Sequence, residues 1–132
     1  MNFTEKTQAF IVARYYVRLT DTFGEQGRLA FRHGTQYYGT QRGRRMAQRA
    51  IRDGVTNLTY EVYCQYGEWV NTEECKKLGC ANKTTILAKN PDVVRQIDIC
   101  PWNTQFREMG RTDAGDEYCQ YIDKSICRGF NP

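Results

Sequence analysis

Apolar side chains recur at steps of three and four from Phe10 through Ala13 and Tyr16 or Val17 to Thr20, which predicts a helix over 4–23 with one buried face. Thr4 stands where an N-cap accepts the first free amides, and Gly24 permits the left-handed residue that closes a helix. A second helical pattern covers 25–53, with Leu29, Ala30, Tyr37, Met46, Ala47, Ala50 and Ile51 as inward candidates and Gly54 as the stop. Its interior holds Gly34, Gly39 and Gly43, each costing up to about 1 kcal/mol relative to Ala. Such a helix either breaks or is approached closely by another backbone or a ligand.

From Thr56 the period shortens. Leu58, Tyr60, Val62, Cys64 and Tyr66 alternate with Thr59, Glu61, Tyr63 and Gln65, the two-residue repeat of a half-buried strand closed by Gly67. A short helical turn is expected from Thr72 to Leu78 with Gly79 as its cap, and 79–92 has the composition of a linking loop. A strand over Val93 to Ile99 then runs directly into Cys100-Pro101. Two helices come next, Pro101 to Met109 with Pro at the first helical position and Gly110 as terminator, and Ala114 to Cys127 ended by Gly129. The fold expected from these elements is α+β: an N-terminal helical pair packed on a small, largely antiparallel sheet, with two short C-terminal helices. At 132 residues and 40% hydrophobic content the chain suits one domain over 1–132, a helical half at 1–54 and a strand and helix half at 55–132.

Composition changes this picture in two places. Residues 25–53 hold seven Arg (Arg28, Arg32, Arg42, Arg44, Arg45, Arg49 and Arg52) against Glu25 and Asp53, while the whole chain carries only +4. That segment suits a nucleic acid, an acidic partner or simple solubility. Aromatic residues are not interleaved with Arg in a recognised RNA or DNA motif, so nucleic acid is the disfavoured reading. The second place is cysteine. The apolar stretch from Phe10 to Ala13 is too short for a signal peptide, and no run of 18 apolar residues offers a membrane span, so a cytoplasmic location with reduced thiols is expected.

Four residues carry candidate chemistry. Cys100 lies where a strand ends and a helix begins, so its sulfur faces free amides and the positive end of the helix dipole, which favours thiolate. The alternative is a buried Cys serving as a small hydrophobe. Cys119 and Asp123 are four apart on the last helix and share a face near the inward stripe of Ile122 and Ile126. A carboxylate there either has a pKa suited to proton transfer or points sideways to solvent. His33 is the sole histidine, and therefore the one imidazole on offer as a base near neutral pH. No CxxC pair and no HxxxH occurs, since Cys75 and Cys80 are five apart and Cys119 and Cys127 eight apart. No cofactor is expected, although a metal site assembled from distant residues such as His33, Cys100 and Asp123 stays open.

Read together, the residues CPWNTQFREMGRTDAGDEYCQYIDKSICRGFNP from Cys100 onward resemble the signature of the L-2-amino-thiazoline-4-carboxylic acid hydrolase family. Cys100, Pro101, Phe106, Gly110, Cys119, Asp123, Gly129 and Phe130 carry the resemblance in order and spacing, and Phe23-Gly24 with the Gly34 and Gly39 series is similar to the first half of that family. Relatives continue beyond the Gly-Phe exit into further strand-forming sequence, whereas this sequence ends at Pro132. The expectation is a shortened member, or a sheet edge completed by a second copy in a homo-oligomer. The resemblance implies a small-molecule substrate and hydrolysis of a carbon–nitrogen bond in a cyclic amidine. Water adds between the ring sulfur and nitrogens, and the ring opens to a carbamoyl-cysteine. It further implies Cys100 as nucleophile or site-lining thiolate with Cys119 beside it, Asp123 on the amidinium, and His33 as proton shuttle. Arg107 or Arg128 then hold the substrate carboxylate, with Trp102 and Asn103 lining the site. The rival expectation is a non-catalytic small-molecule binding or sensory module on the same scaffold.

Overall fold

The computed structural model describes residues 4–68 and 71–132. Among them are six helices and one antiparallel pair of strands: α1 (Glu5–Phe23), α2 (Glu25–Arg52), α3 (Tyr60–Tyr66), α4 (Glu73–Lys77), β1 (Lys83–Ala88), β2 (Val94–Ile99), α5 (Pro101–Glu108) and α6 (Thr112–Phe130). The expected α+β class is the observed one. The chain gathers into two compact units, one formed by Met1–Tyr15 with Val70–Gly115, the other by Tyr16–Trp69 with Asp116–Pro132.

In the first unit, Thr4 caps α1 as expected, its hydroxyl accepting from the Thr7 amide at 3.1 Å. Ala9 and Ala13 on this helix, Cys75 and Cys80 around α4, and Phe106 and Ala114 are buried. Glu5 enters this core because its charge is satisfied: it accepts from the Thr72 amide at 3.1 Å, the Thr72 hydroxyl at 2.8 Å and the Cys75 thiol at 3.3 Å. Thr72 meanwhile caps α4, its hydroxyl accepting from the Cys75 amide. Strand β1 pairs with β2 through Thr84 opposite Ile97, Thr85 opposite Gln96 and Ile86 opposite Arg95. The loop expected over 79–92 is thus corrected: its middle is a strand. Thr84, Thr85 and Ile86 are β-branched and suit extended backbone, but with both faces exposed they show no alternation of apolar and polar positions.

In the second unit, α1 and α2 meet at Gly24, whose φ of +57° turns the chain within one residue. The Tyr16 ring stands edge-on to Phe31 with centroids 5.0 Å apart. Helix α2 runs unbroken for 28 residues, so the interior glycines do not interrupt it. Two of them admit α6: a methyl at Gly39 would lie 2.7 Å from the Ser125 Cβ, and one at Gly43 would lie 2.0 Å from the Ile126 carbonyl oxygen. Gly129 of α6 meets α2 in the same way, with the Thr40 carbonyl oxygen 2.0 Å from the methyl it lacks. Close approach therefore accounts for Gly39 and Gly43, while Gly34 faces open space. Gly129 sits inside α6, which extends to Phe130 instead of stopping near Cys127.

The strand expected over 56–66 is overturned. Thr59 caps a helix there, with the Val62 amide at 3.4 Å from its hydroxyl, and Glu61 lies in the first turn. Tyr63 breaks the two-residue alternation by being aromatic on the supposedly polar face. At helical spacing it stacks on Tyr60 at 6.1 Å and stands edge-on to Phe130 at 5.5 Å. The Arg49 guanidinium also donates to the Tyr66 carbonyl at 2.8 Å, fastening the last turn of α3 to α2.

Candidate functional site

The β2 to α5 junction of the first unit is built by local sequence. Strand β2 ends at Ile99, Cys100 is still extended at φ −139° and ψ 123°, and Pro101 fixes the first helical residue of α5. The Cys100 carbonyl accepts from the Thr104 amide and the Thr104 hydroxyl, both at 3.0 Å, so the backbone at the cap is held twice. The Cys100 side chain makes no capping hydrogen bond, and the residue is half-buried. Its sulfur is left for other chemistry at a helix N-terminus. Trp102 is half-buried, with its ring 6.1 Å from that of the fully buried Phe106; Asn103 and Arg107 are exposed. Gly110, at φ +66°, closes α5 as expected, the Arg111 amide reaching back to the Phe106 carbonyl at 2.8 Å. Cys100, Trp102, Asn103 and Arg107 are thereby grouped on one short helix and its cap.

The other predicted residues belong to the second unit. On α6, Cys119 is exposed and Asp123 half-buried, one turn apart on a shared face. Arg128 is exposed in the last turn, about half a turn around the helix from Cys119. His33 is exposed on α2. Tyr118, beside Cys119, is buried, and burial holds its phenol far above the ordinary value, with Tyr38 adding a smaller push and Arg42 opposing it. Among the described residues no group of three or more His, Cys, Asp and Glu is placed to hold a metal ion, and no helix is long and apolar enough to cross a membrane.

Three polar clusters lie outside the residues expected to carry chemistry. Arg28 and Arg32 both grip the buried Glu117, Arg32 through Nη2 at 2.9 Å, and the Arg32 guanidinium also lies over the Tyr121 ring at 4.7 Å. Glu68 takes Arg45 in a two-pronged pair at 2.9 and 2.7 Å, with Arg42 at 3.1 Å and Arg49 at 3.4 Å. Five of the seven arginines in the basic segment thus face carboxylates of their own unit. The third cluster is Glu5 with Thr72 and Cys75. Its only local trace is Thr72 three residues before Cys75, the spacing of a capping residue and the amide it serves.

These pairs bear on pH. Hydrogen bonds from Arg32 first, opposed by burial and aided by Arg28, hold the Glu117 carboxyl below the ordinary glutamate value of 4.5. Arg45 does the same for Glu68. A carboxyl lowered on folding contributes stability that is fully present above its unfolded value and is lost as pH falls through the folded one. Denaturant unfolding followed from pH 7 downward should therefore show stability falling below about pH 4.5. Glu117→Gln should be less stable at neutral pH and decline less steeply in acid; an acid limb identical to wild type would remove Glu117 from the account.

A small α+β chain whose second strand delivers a Cys-Pro pair into a short helix, with a Cys and an Asp one turn apart on the helix that follows, is defined by its thiol-bearing junction. The profile of the L-2-amino-thiazoline-4-carboxylic acid hydrolase family matches residues 4–132, nearly the whole chain, and the chain belongs to that family. No curated protein and no solved structure matches it.

Proposed function

We propose that the protein is a hydrolase that opens a small cyclic amidine of the 2-amino-thiazoline-4-carboxylate type to a carbamoyl-cysteine. The observation that carries this reading is the family match over residues 4–132 together with a half-buried Cys100 whose side chain caps nothing. In the proposed reaction an oxygen from water is added at the carbon between the ring sulfur and nitrogens, the bond from that carbon to the ring nitrogen breaks, and the departing ring nitrogen takes up a proton. Cys100 acts as nucleophile or site-lining thiolate, and Asp123 holds the amidinium with Cys119 alongside. His33 shuttles the proton, and Arg107 or Arg128 offers the substrate carboxylate a bidentate guanidinium. Trp102 and Asn103 serve as lining residues. The proposed location is the cytoplasm.

Ring opening followed by chromatography of substrate and product tests the assignment. Cys100→Ser and Asp123→Asn should each lower turnover by roughly 10²-fold or more, the scale of losing a positioned acid, base or nucleophile. Unchanged turnover in both variants removes the mechanism. Thermal stabilisation by the substrate without any product from wild type would replace it with the binding module.

A further inference from the structure

Cys75 and Cys80 take no part in the proposed hydrolysis, and their chemistry is independent of it. Helix α4 ends in a Schellman turn: the Cys80 amide donates to the Cys75 carbonyl at 3.0 Å and the Gly79 amide to the Lys76 carbonyl at 3.2 Å, with Gly79 at φ +70°. This closure brings the side chain near the helix end against the one just beyond it. At the ends of α2 and α5 the same closure joins Ala50 with Val55 and Phe106 with Arg111. In α4 both places hold thiols. The two residues are 0% and 4% exposed. The Cys75 sulfur donates to Glu5 Oε2 at 3.3 Å, and so joins α4 to the first turn of α1.

We propose that Cys75 and Cys80 form a dithiol modification site that closes reversibly to a disulfide with a low-molecular-weight disulfide oxidant, and that closure loosens the tether between α4 and the start of α1. Cys80, the less enclosed of the two, attacks one oxidant sulfur as thiolate; the oxidant bond breaks, one thiolate leaves and a mixed disulfide remains. Cys75 then loses its proton and displaces the second thiol. The two cysteines give up two electrons and two protons, and the oxidant becomes two thiols. Once bonded, the Cys75 sulfur has no hydrogen to donate, and Glu5 keeps only its Thr72 donors and its own backbone contact. Burial and then the bond to Glu5, against a counteracting bond from Thr72, push the Cys75 thiol up to about 11, so closure is slow in the resting protein. Access comes through opening of α4, a helix of only five residues.

The test treats the folded full chain with oxidised glutathione, alkylates the remaining thiols and digests with trypsin without reduction. Cleavage at Lys76 and Lys77, with a second digestion by a glutamate-specific protease after Glu68 to part Cys64 from Cys75, should leave the Cys75 and Cys80 peptides joined, and dithiothreitol should part them. Phenylarsine oxide should bind one equivalent across the pair and protect both from alkylation. Amide exchange over residues 4–10 should be faster in the oxidised than in the reduced protein. Should Cys75→Ser fail to fold, Cys80→Ser, which keeps the contact with Glu5, should lose the cross-link, the arsenical and the oxidation-dependent exchange. Recovery of both cysteines alkylated, or their joining to Cys64, Cys119 or Cys127 instead of to each other, overturns the proposal. Unchanged exchange over 4–10 on closure overturns the tether.

Discussion

Gly43→Ala should destabilise the protein by at least about 3 kcal/mol, the upper part of the range for overpacking a close contact. The added methyl would lie 2.0 Å from the Ile126 carbonyl oxygen, 2.6 Å from the Phe130 amide nitrogen and 2.9 Å from the Gly129 carbonyl carbon. All three are backbone atoms of α6 and cannot rotate aside, so the helices have to part. Gly34→Ala, on the same helix and also in mid-helix, should do the opposite. Nothing lies within 4 Å of its missing methyl, and the change should stabilise by up to about 1 kcal/mol through helix propensity and the unfolded chain. Urea unfolding of the two variants checks both signs. Equal effects would mean that propensity alone, and not contact with α6, governs Gly43.

Phe106→Ala should cost about 3–5 kcal/mol, the usual range for emptying a large aromatic site in a core. Phe106 is 1% exposed, and its ring lies so close to Gly115 that a methyl there would meet Cδ2 at 2.8 Å. The ring pins α5 and, through α5, the cap residue Cys100. Turnover should therefore fall along with stability, although the thiol itself is untouched. Phe106→Leu, which leaves a smaller void, should cost less in both; equal losses in the two variants would show that filling the site is not what matters.

Much of this fold was legible because punctuation in the chain coincides with geometry. Thr4, Gly24, Gly54, Gly79, Pro101 and Gly110 each mark an element end that the structure places there, by capping, by positive φ or by fixed φ. The errors arise where local pattern competes with contact. Alternation over 58–66 suited a strand until Tyr63 found Tyr60 at helical spacing and Phe130 on α6. Gly129 read as a stop because a glycine wanted for close packing and one wanted for positive φ look alike in sequence; only Thr40 of α2 distinguishes them. Strand β1 was hidden because an exposed ribbon buries neither face. For the candidate site, the Cys100 junction could be read from strand, Pro and Gly in succession. The burial of Glu5 could not, since Thr72, the partner that permits it, stands 67 positions away.

Arg28, Arg32, Arg42, Arg45 and Arg49 are committed to Glu117 and Glu68, anions that never dissociate from the chain. A phosphodiester strand laid along α2 would have to compete with them for the same guanidinium forks. Two of the five positive charges on these side chains are cancelled by fixed anions before any polyelectrolyte approaches.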